Sequence, residues 1–324
     1  MQLGLSINPC TLCPRQCRVD RTRERGYCGA PADPAIASVT IHTGEEPPIS
    51  GEREWNTSEP REKGEREWNT SEPRKKGIVN IFFAHCNLHC IYCQNHQISG
   101  HTPTQPLTHS ATPSLPALLA RSNGLLGFVT AAHYAHLIPG ILDDLHAQGI
   151  HPTVVYNSSG YEAVDTLRAL EGLVDIYLPD LKYRDPDLAR RYSHAPDYPE
   201  VAAAALEEMK RQVGTSLKVD DDGIAFRGLI VRHLVLPGHL QNTLDCLDFL
   251  ADTFFAPSLH VSLMSQYYPP RPDLPAPIHR TLTPDEYAIA AERFQDLGFD
   301  GWLQSPDANT NYRPDFSNPT TPFK

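Results

Sequence analysis

No stretch of this 324-residue sequence approaches the roughly eighteen consecutive apolar residues of a membrane span, so no membrane partner is expected. The opening residues, MQLGLSINPCTLC, lack both a basic flank and a long apolar centre. They do not read as a secretion signal, and the cytosol is the expected compartment. Positive charge is scarce as well. The 28 Lys and Arg stand against 39 Asp and Glu, a formal net charge of −11 that argues against a nucleic-acid partner held by bulk attraction. A glycine-rich dinucleotide turn is missing after the first strand-like run. What remains is 40% apolar and long enough for one large domain or two small ones.

Eight cysteines are present, and seven fall in two tight groups: Cys10, Cys13, Cys17 and Cys28, then Cys86, Cys90 and Cys93. In a reducing compartment such clusters point to metal rather than to disulfides. Cys246 stands alone in an amphipathic stretch, TLDCLDFLADTFF, and reads as a small core residue.

One segment differs from its surroundings. GEREWNTSEPREK (51–63) is followed directly by GEREWNTSEPRKK (64–76), a tandem copy that differs only in Glu62 against Lys75. Two copies are too few for a solenoid, and the charged, aliphatic-poor composition predicts a solvated loop. From Gly77 onward apolar runs suited to buried parallel strands alternate with helical stretches. The runs are IVNIFF (78–83), LLGFVT (125–130), TVVY (153–156), VDIYL (174–178), LIVRHLVL (229–236) and LHVSLM (259–264). This alternation predicts an α/β fold, most simply an open or partial (β/α)6 barrel, with a doubly wound sheet as the alternative. The expected organisation is a cysteine-rich module over 1–35, a linker over 36–76 carrying the repeat, the barrel over 77–304, and a tail over 305–324. That tail is expected to be poorly ordered or draped over the barrel.

Function in such barrels sits at the carboxyl ends of the strands. The residues there are Cys86, Cys90 and Cys93 after the first run, then Thr130 and His133. Asn157, Ser158 and Ser159 follow the third run, Asp180 and Lys182 the fourth, Arg232 and His233 lie in the fifth, and Ser265, Gln266 and Tyr267 end the sixth. All six ends are polar or ligand-bearing, which predicts a functional rim.

Three cysteines leave one iron of a cubane without a protein ligand, and an open metal position marks a reactive site. The alternative is zinc completed by His85, His89 or His96. The spacing CxxxCxxC directly after a strand resembles the cluster loop of the radical S-adenosylmethionine superfamily. With GEEPPISG, VVYNSSGYE, VDIYLPDLKY, EEMKRQVG, GLIVRHLVLPG and LMSQYYP, the chain is similar to the pyruvate formate-lyase activating enzyme-related proteins of that superfamily. The resemblance implies a radical-SAM barrel with a 4Fe-4S cluster on Cys86, Cys90 and Cys93, and S-adenosylmethionine on the fourth iron. It also implies reductive cleavage to a 5′-deoxyadenosyl radical. Tyr92 matches the aromatic residue near the adenine, Asp180 and Lys182 match groups at the methionyl end, and Arg232 matches the arginine of the fifth strand. The cofactor needs a cation for its carboxylate, which Lys182 or Arg232 can supply, and ribose partners, for which Asn157, Ser158 and Ser159 suffice. The family's Gly-Gly-Glu turn is replaced here by TAAH, with Thr130 or His133 in its place. The implied partners are an electron donor such as flavodoxin or ferredoxin and a protein substrate, as in activation of a glycyl-radical enzyme. Radical modification of a small molecule or nucleic acid, and a non-catalytic zinc-binding barrel, are the competing readings.

The first group, C-x2-C-x3-C-x10-C, saturates either one zinc or a second iron–sulfur cluster. The arginines around it (Arg15, Arg18, Arg21, Arg23 and Arg25) read as a solvated face.

Overall fold

The computed structural model describes residues 5–51, 76–100, 115–310, 313–318 and 320–323. Apart from Gly51 and Lys76, both copies of the repeat lie outside the described residues. The strands are β1 (Ile36–His42), β2 (Ile78–Phe83), β3 (Leu125–Val129), β4 (Thr153–Ser158), β5 (Ile176–Pro179), β6 (Lys218–Val219), β7 (Ala225–Leu234), β8 (His260–Met264) and β9 (Asp300–Leu303). The helices are α1 (Pro47–Ser50), α2 (His96–Ser99), α3 (Leu115–Leu119), α4 (Ile138–His146), α5 (Val164–Ala169), α6 (Pro186–Ser193), α7 (Tyr198–Val213), α8 (Leu240–Thr253) and α9 (Pro284–Asp296). None of these is long and apolar enough to cross a membrane.

The result is a mixed α/β fold around a parallel sheet. Strands β2, β3, β4, β5, β7, β8 and β9 pair in parallel and in chain order, β1 joins antiparallel to β2, and β6 pairs antiparallel with β7. The six expected strands are all present. Asp300–Leu303 makes a further parallel strand, and β1 comes from the segment expected to be linker. The strands follow one another in chain order with no reversal, so the sheet lacks the switch point of the doubly wound alternative.

The alternation of side chains along each strand then builds the site. One face of the sheet packs Val79, Ile81, Leu126, Phe128, Tyr156 and Val231 into the main core with the helices. The other presents Ile78, Leu125, Val155, Ile176, Leu178 and Ile230, which form a second, smaller core with Ile49 of α1. Two residues further along, the same face carries Asn80, Asn157, Asp180 and Arg232. An apolar plug at the amino ends therefore gives way to polar groups at the carboxyl ends. Gly127 is paired with Asn80 across β2 and β3, and a Cβ there would collide with the Asn80 amide oxygen.

Helix ends follow local chemistry. Asp185 caps α6 by accepting from the Asp187 and Leu188 amides, with Pro186 in the first turn. Thr283 and Glu286 form a capping box on α9. The described part of the tail lies against β1 and β2. Thr40 donates to the Thr320 carbonyl at 3.1 Å, and Gln97 accepts from the Phe316 amide at 2.7 Å. Phe316 and Phe323 pack on Phe82 at 5.4 and 5.5 Å, and Phe323 stacks on His42 at 3.9 Å. Draping, the second of the two expectations for the tail, describes these residues. Cys246 is fully buried in the main core.

Candidate active site

A cavity of ≈ 210 Å³ opens at the carboxyl ends of the parallel strands. Its walls bring together Cys86, Cys90, Tyr92 and Cys93 from the loop after β2, Thr130 after β3, and Asn157, Ser158 and Ser159 from β4. Asp180, Lys182 and Arg232 come from the ends of β5 and β7. Groups that the sequence reading assigned no role also line it: His42 at the end of β1, Glu45 and Glu46 just after it, and Pro314 and Phe323 of the tail.

The cysteine loop is held in an unusual backbone shape. His85 and His89 both take left-handed conformations, with φ of 69° and 56°. Their rings serve that shape: His85 Nδ1 meets the Gly100 carbonyl at 3.1 Å, and His89 Nε2 the Tyr27 carbonyl at 3.2 Å. The three thiols receive hydrogen bonds from the Leu88 amide to Cys86 (3.3 Å), the Ser193 hydroxyl to Cys90 (3.0 Å) and the Ser99 hydroxyl to Cys93 (3.4 Å). Burial, reinforced by the neighbouring thiols Cys90 and Cys93, pushes the Cys86 thiol up to about 12. Burial also lifts Cys90 to about 11. Thiols held protonated release protons when a metal binds, so loading is favoured by high pH. Among the described residues no three His, Cys, Asp or Glu side chains converge closely enough to hold one metal ion. The zinc alternative with His85, His89 or His96 therefore has no preformed ligand set, and neither does a single zinc on the first four cysteines. A cubane takes one thiolate per iron rather than all on one ion, and three thiols facing a common cavity suit that donor pattern.

Tyr92, fully buried, is fixed by neighbours. Its hydroxyl accepts from Tyr183 at 2.7 Å, Tyr183 also meets Ser193 Oγ at 2.7 Å, and Ser193 donates to Cys90. The ring is thus tied to the cysteine loop through two hydroxyl groups.

Two ionic clusters lie side by side on the cavity wall, joined where Asp180 bridges to Arg232 between neighbouring strands. Lys182 pairs with Asp180. Burial disfavours the Lys182 ammonium, but Asp180 and then Cys90 outweigh it and hold its pKa above the ordinary lysine value. Arg232 reaches the two acids just before α1. Its Nε donates to Glu46 Oε1 at 2.8 Å and its Nη2 to Glu46 Oε2 at 2.6 Å and to Glu45 Oε2. Glu45 also accepts from Asn80 at 2.9 Å and meets His42 Nδ1 at 3.1 Å. Burial alone would raise the Glu45 carboxyl; Arg232 and His42 reverse this and hold it well below the usual range. The adjacent acids of GEEPPISG carry the signal that could have found this partner. They are followed by Pro, Pro and Ile rather than by solvated residues.

Thr130 stands at φ 55°, a left-handed conformation that a β-branched residue rarely adopts and that marks a functional position when the surroundings enforce it. Here the Thr130 amide donates to the Asn157 carbonyl at 2.9 Å. Thr130→Gly is expected to leave stability unchanged or to raise it by about 1 kcal/mol, because relief of the left-handed strain offsets glycine's added unfolded-state freedom. Urea unfolding checks this, and a loss above about 1 kcal/mol would show that the hydroxyl, not the backbone, dominates.

His133 does not line the cavity. Its ring turns behind the cysteine loop, where Nε2 donates to the Ala84 carbonyl at 2.8 Å, and burial lowers its pKa to about 3. A neutral ring held there supports the loop rather than a ligand.

Around the first cysteine group the solvated-face reading holds for Arg18, Arg23 and Arg25, which are exposed. It fails for two residues. Arg21 is buried and donates to the carbonyls of His133 and of Pro31 (2.6 Å). Arg15 is half-buried and hydrogen-bonded to the carbonyls of Asn87, Ser193 and His194. The structure places Cys10, Cys13 and Cys28 in the interior with Cys17 beside them, and none of the four lines the cavity.

No protein-family model matches the chain. An uncharacterised protein of Methanocaldococcus jannaschii is 26% identical over 302 residues, covering 90% of this chain and 75% of the relative. Among solved structures, a domain of a pyruvate-formate lyase-activating enzyme from Bacteroides vulgatus aligns with a TM-score of 0.36 and 14% identity, covering 53% of this chain and 92% of that chain. A likeness of that quality carries no weight, and the functional reading rests on the residues that line the cavity.

Proposed function

We propose that this chain is a radical S-adenosylmethionine enzyme on a partial (β/α)6 barrel. Cys86, Cys90 and Cys93 would hold a 4Fe-4S cluster, and Tyr92, Thr130, Asn157, Ser158, Ser159, Asp180, Lys182 and Arg232 would hold S-adenosylmethionine. The observation that supports it is the convergence of three thiols with the polar carboxyl ends of β3, β4, β5 and β7 on one cavity. When bound, the cluster and cofactor would supply one-electron reductive cleavage to a 5′-deoxyadenosyl radical. The chain's own residues supply binding and orientation. Glu45, Glu46 and Asp180 outnumber Lys182 and Arg232 by one on the cavity wall, which suits a ligand carrying sulfonium and ammonium charges as well as a carboxylate. Asn157, Ser158 and Ser159 present amide and hydroxyl groups for a ribose. Cys10, Cys13, Cys17 and Cys28 would hold a second metal site, either a saturated cluster or zinc. The partners in this reading are a flavodoxin- or ferredoxin-like electron donor and a protein substrate of the glycyl-radical kind, in the cytosol.

Anaerobically reconstituted protein reduced with dithionite is expected to form 5′-deoxyadenosine from S-adenosylmethionine slowly, without added substrate. Chromatography of the quenched mixture measures it. No 5′-deoxyadenosine from a fully loaded sample would overturn the proposal.

A further inference from the structure

The two cysteine groups lie in separate segments, yet one side chain reaches from the first to the second. Arg15 sits between Cys13 and Cys17 in the chain. Its guanidinium reaches three backbone carbonyls. Nε donates to the Asn87 carbonyl at 2.9 Å, Nη1 to the His194 carbonyl at 2.7 Å, and Nη2 to the Ser193 carbonyl at 3.2 Å. Asn87 lies inside the Cys86–Cys93 loop, and Ser193 is the residue whose hydroxyl donates to Cys90. The Tyr27 and Tyr161 rings flank the guanidinium at 3.9 and 5.0 Å. Tyr27, next to Cys28, also receives His89 on its carbonyl, so the module grips the loop at a second point.

We infer that Arg15 is a positioning residue that couples the two cysteine groups, making the shape of the Cys86–Cys93 loop depend on the folded state of the 10–28 module. The loop needs such a hold. His85 and His89 are both left-handed, and a backbone of that kind persists only where its surroundings enforce it. Asn87 is fully buried and fixed at two points, its carbonyl by Arg15 and its amide by a 2.9 Å bond to the Tyr161 carbonyl. A planar fork reaching three carbonyls on two segments is a task that suits Arg and not Lys. The coupling concerns the chain's own loop and stands whether or not S-adenosylmethionine is cleaved.

The test compares the parent with Arg15→Ala and Arg15→Lys as full chains, purified anaerobically with their bound metals. Iodoacetamide alkylation of each cysteine is followed by mass spectrometry, with the fully buried Cys246 as the internal gauge of folding. Arg15→Ala is expected to accelerate alkylation of Cys86 and Cys90 by about tenfold, since hydrogen bonds from a charged group no longer oppose local opening. Arg15→Lys should give about threefold, because a single ammonium cannot reproduce the fork. Cys246 should stay unreacted, and Cys10, Cys13 and Cys28 should change by less than about twofold, their burial being unaltered. Unchanged rates at Cys86 and Cys90 with Cys246 protected overturn the inference. An equal rise at Cys10, Cys13 and Cys28 also overturns it, because that is general loosening. If Cys246 reacts in Arg15→Ala, Arg15→Lys decides by the same criteria.

Discussion

Replacing Cys86, Cys90 and Cys93 together by Ala is expected to remove about four irons per chain and all cofactor cleavage. The metal of the first group should stay in place. The seven thiols sort into two sets by proximity. Those acting on Cys13 are Cys28, Cys10 and Cys17, whereas those acting on Cys86 are Cys90 and Cys93. Only the second set lines the cavity. Iron, zinc and acid-labile sulfide per chain are the measurements. Zinc without iron in the variant identifies the first group as structural. About four remaining irons identify it as a saturated cluster with an electron-transfer or substrate-holding role. Loss of every metal from a variant that is still folded would mean one shared site, and the two-site assignment would fail.

Arg232→Leu is expected to cost about 3–5 kcal/mol at neutral pH, because it leaves two buried carboxylates without their cation. The Glu45 and Glu46 side chains are 7% and 1% exposed, so water cannot replace the guanidinium. The penalty should depend on pH. In the parent, burial works to raise the Glu45 carboxyl, but Arg232 and His42 hold it below its unfolded value. It therefore contributes stability that is present above about pH 4.3, the unfolded value, and lost as pH falls through the depressed folded value. In the variant the same burial raises the carboxyl above its unfolded value. The cost is then full at neutral pH and fades as the group protonates. The gap between parent and variant should narrow from pH 7 towards about pH 4. Urea unfolding across that range measures it, and a gap that does not change with pH would show that lost packing, not charge, sets the cost.

The sheet was legible because parallel strands buried on both faces leave mostly apolar runs, as in LLGFV and in IVNIFF with its single Asn80. The rim followed, since strand ends in such a fold open on one side. β1 escaped notice because its pairing with β2 is irregular between Ile36 and Ser38 and its seven residues precede the conspicuous repeat. Glu45 and Glu46 escaped for a different reason: the apolar residues after them hint at burial, but their partner Arg232 is 187 and 186 residues away and its identity has no local mark. Arg15 and Arg21 look like a charge run, yet both side chains turn inward to backbone carbonyls. His133 shows the reverse error. Three residues from Thr130 in sequence, it points behind the loop rather than into the cavity. Composition and spacing fix which residues reach a strand end; they do not fix which way a side chain turns after it.

The contact between Phe323 and His42 bears on how the protein should be handled. Phe323 forms part of the cavity wall and stacks on a ring that in turn meets Glu45. A bulky group carried on the Phe323 position would displace part of that wall and crowd whatever ligand enters. A photo-crosslinker placed there, by contrast, would report directly on what approaches the cavity.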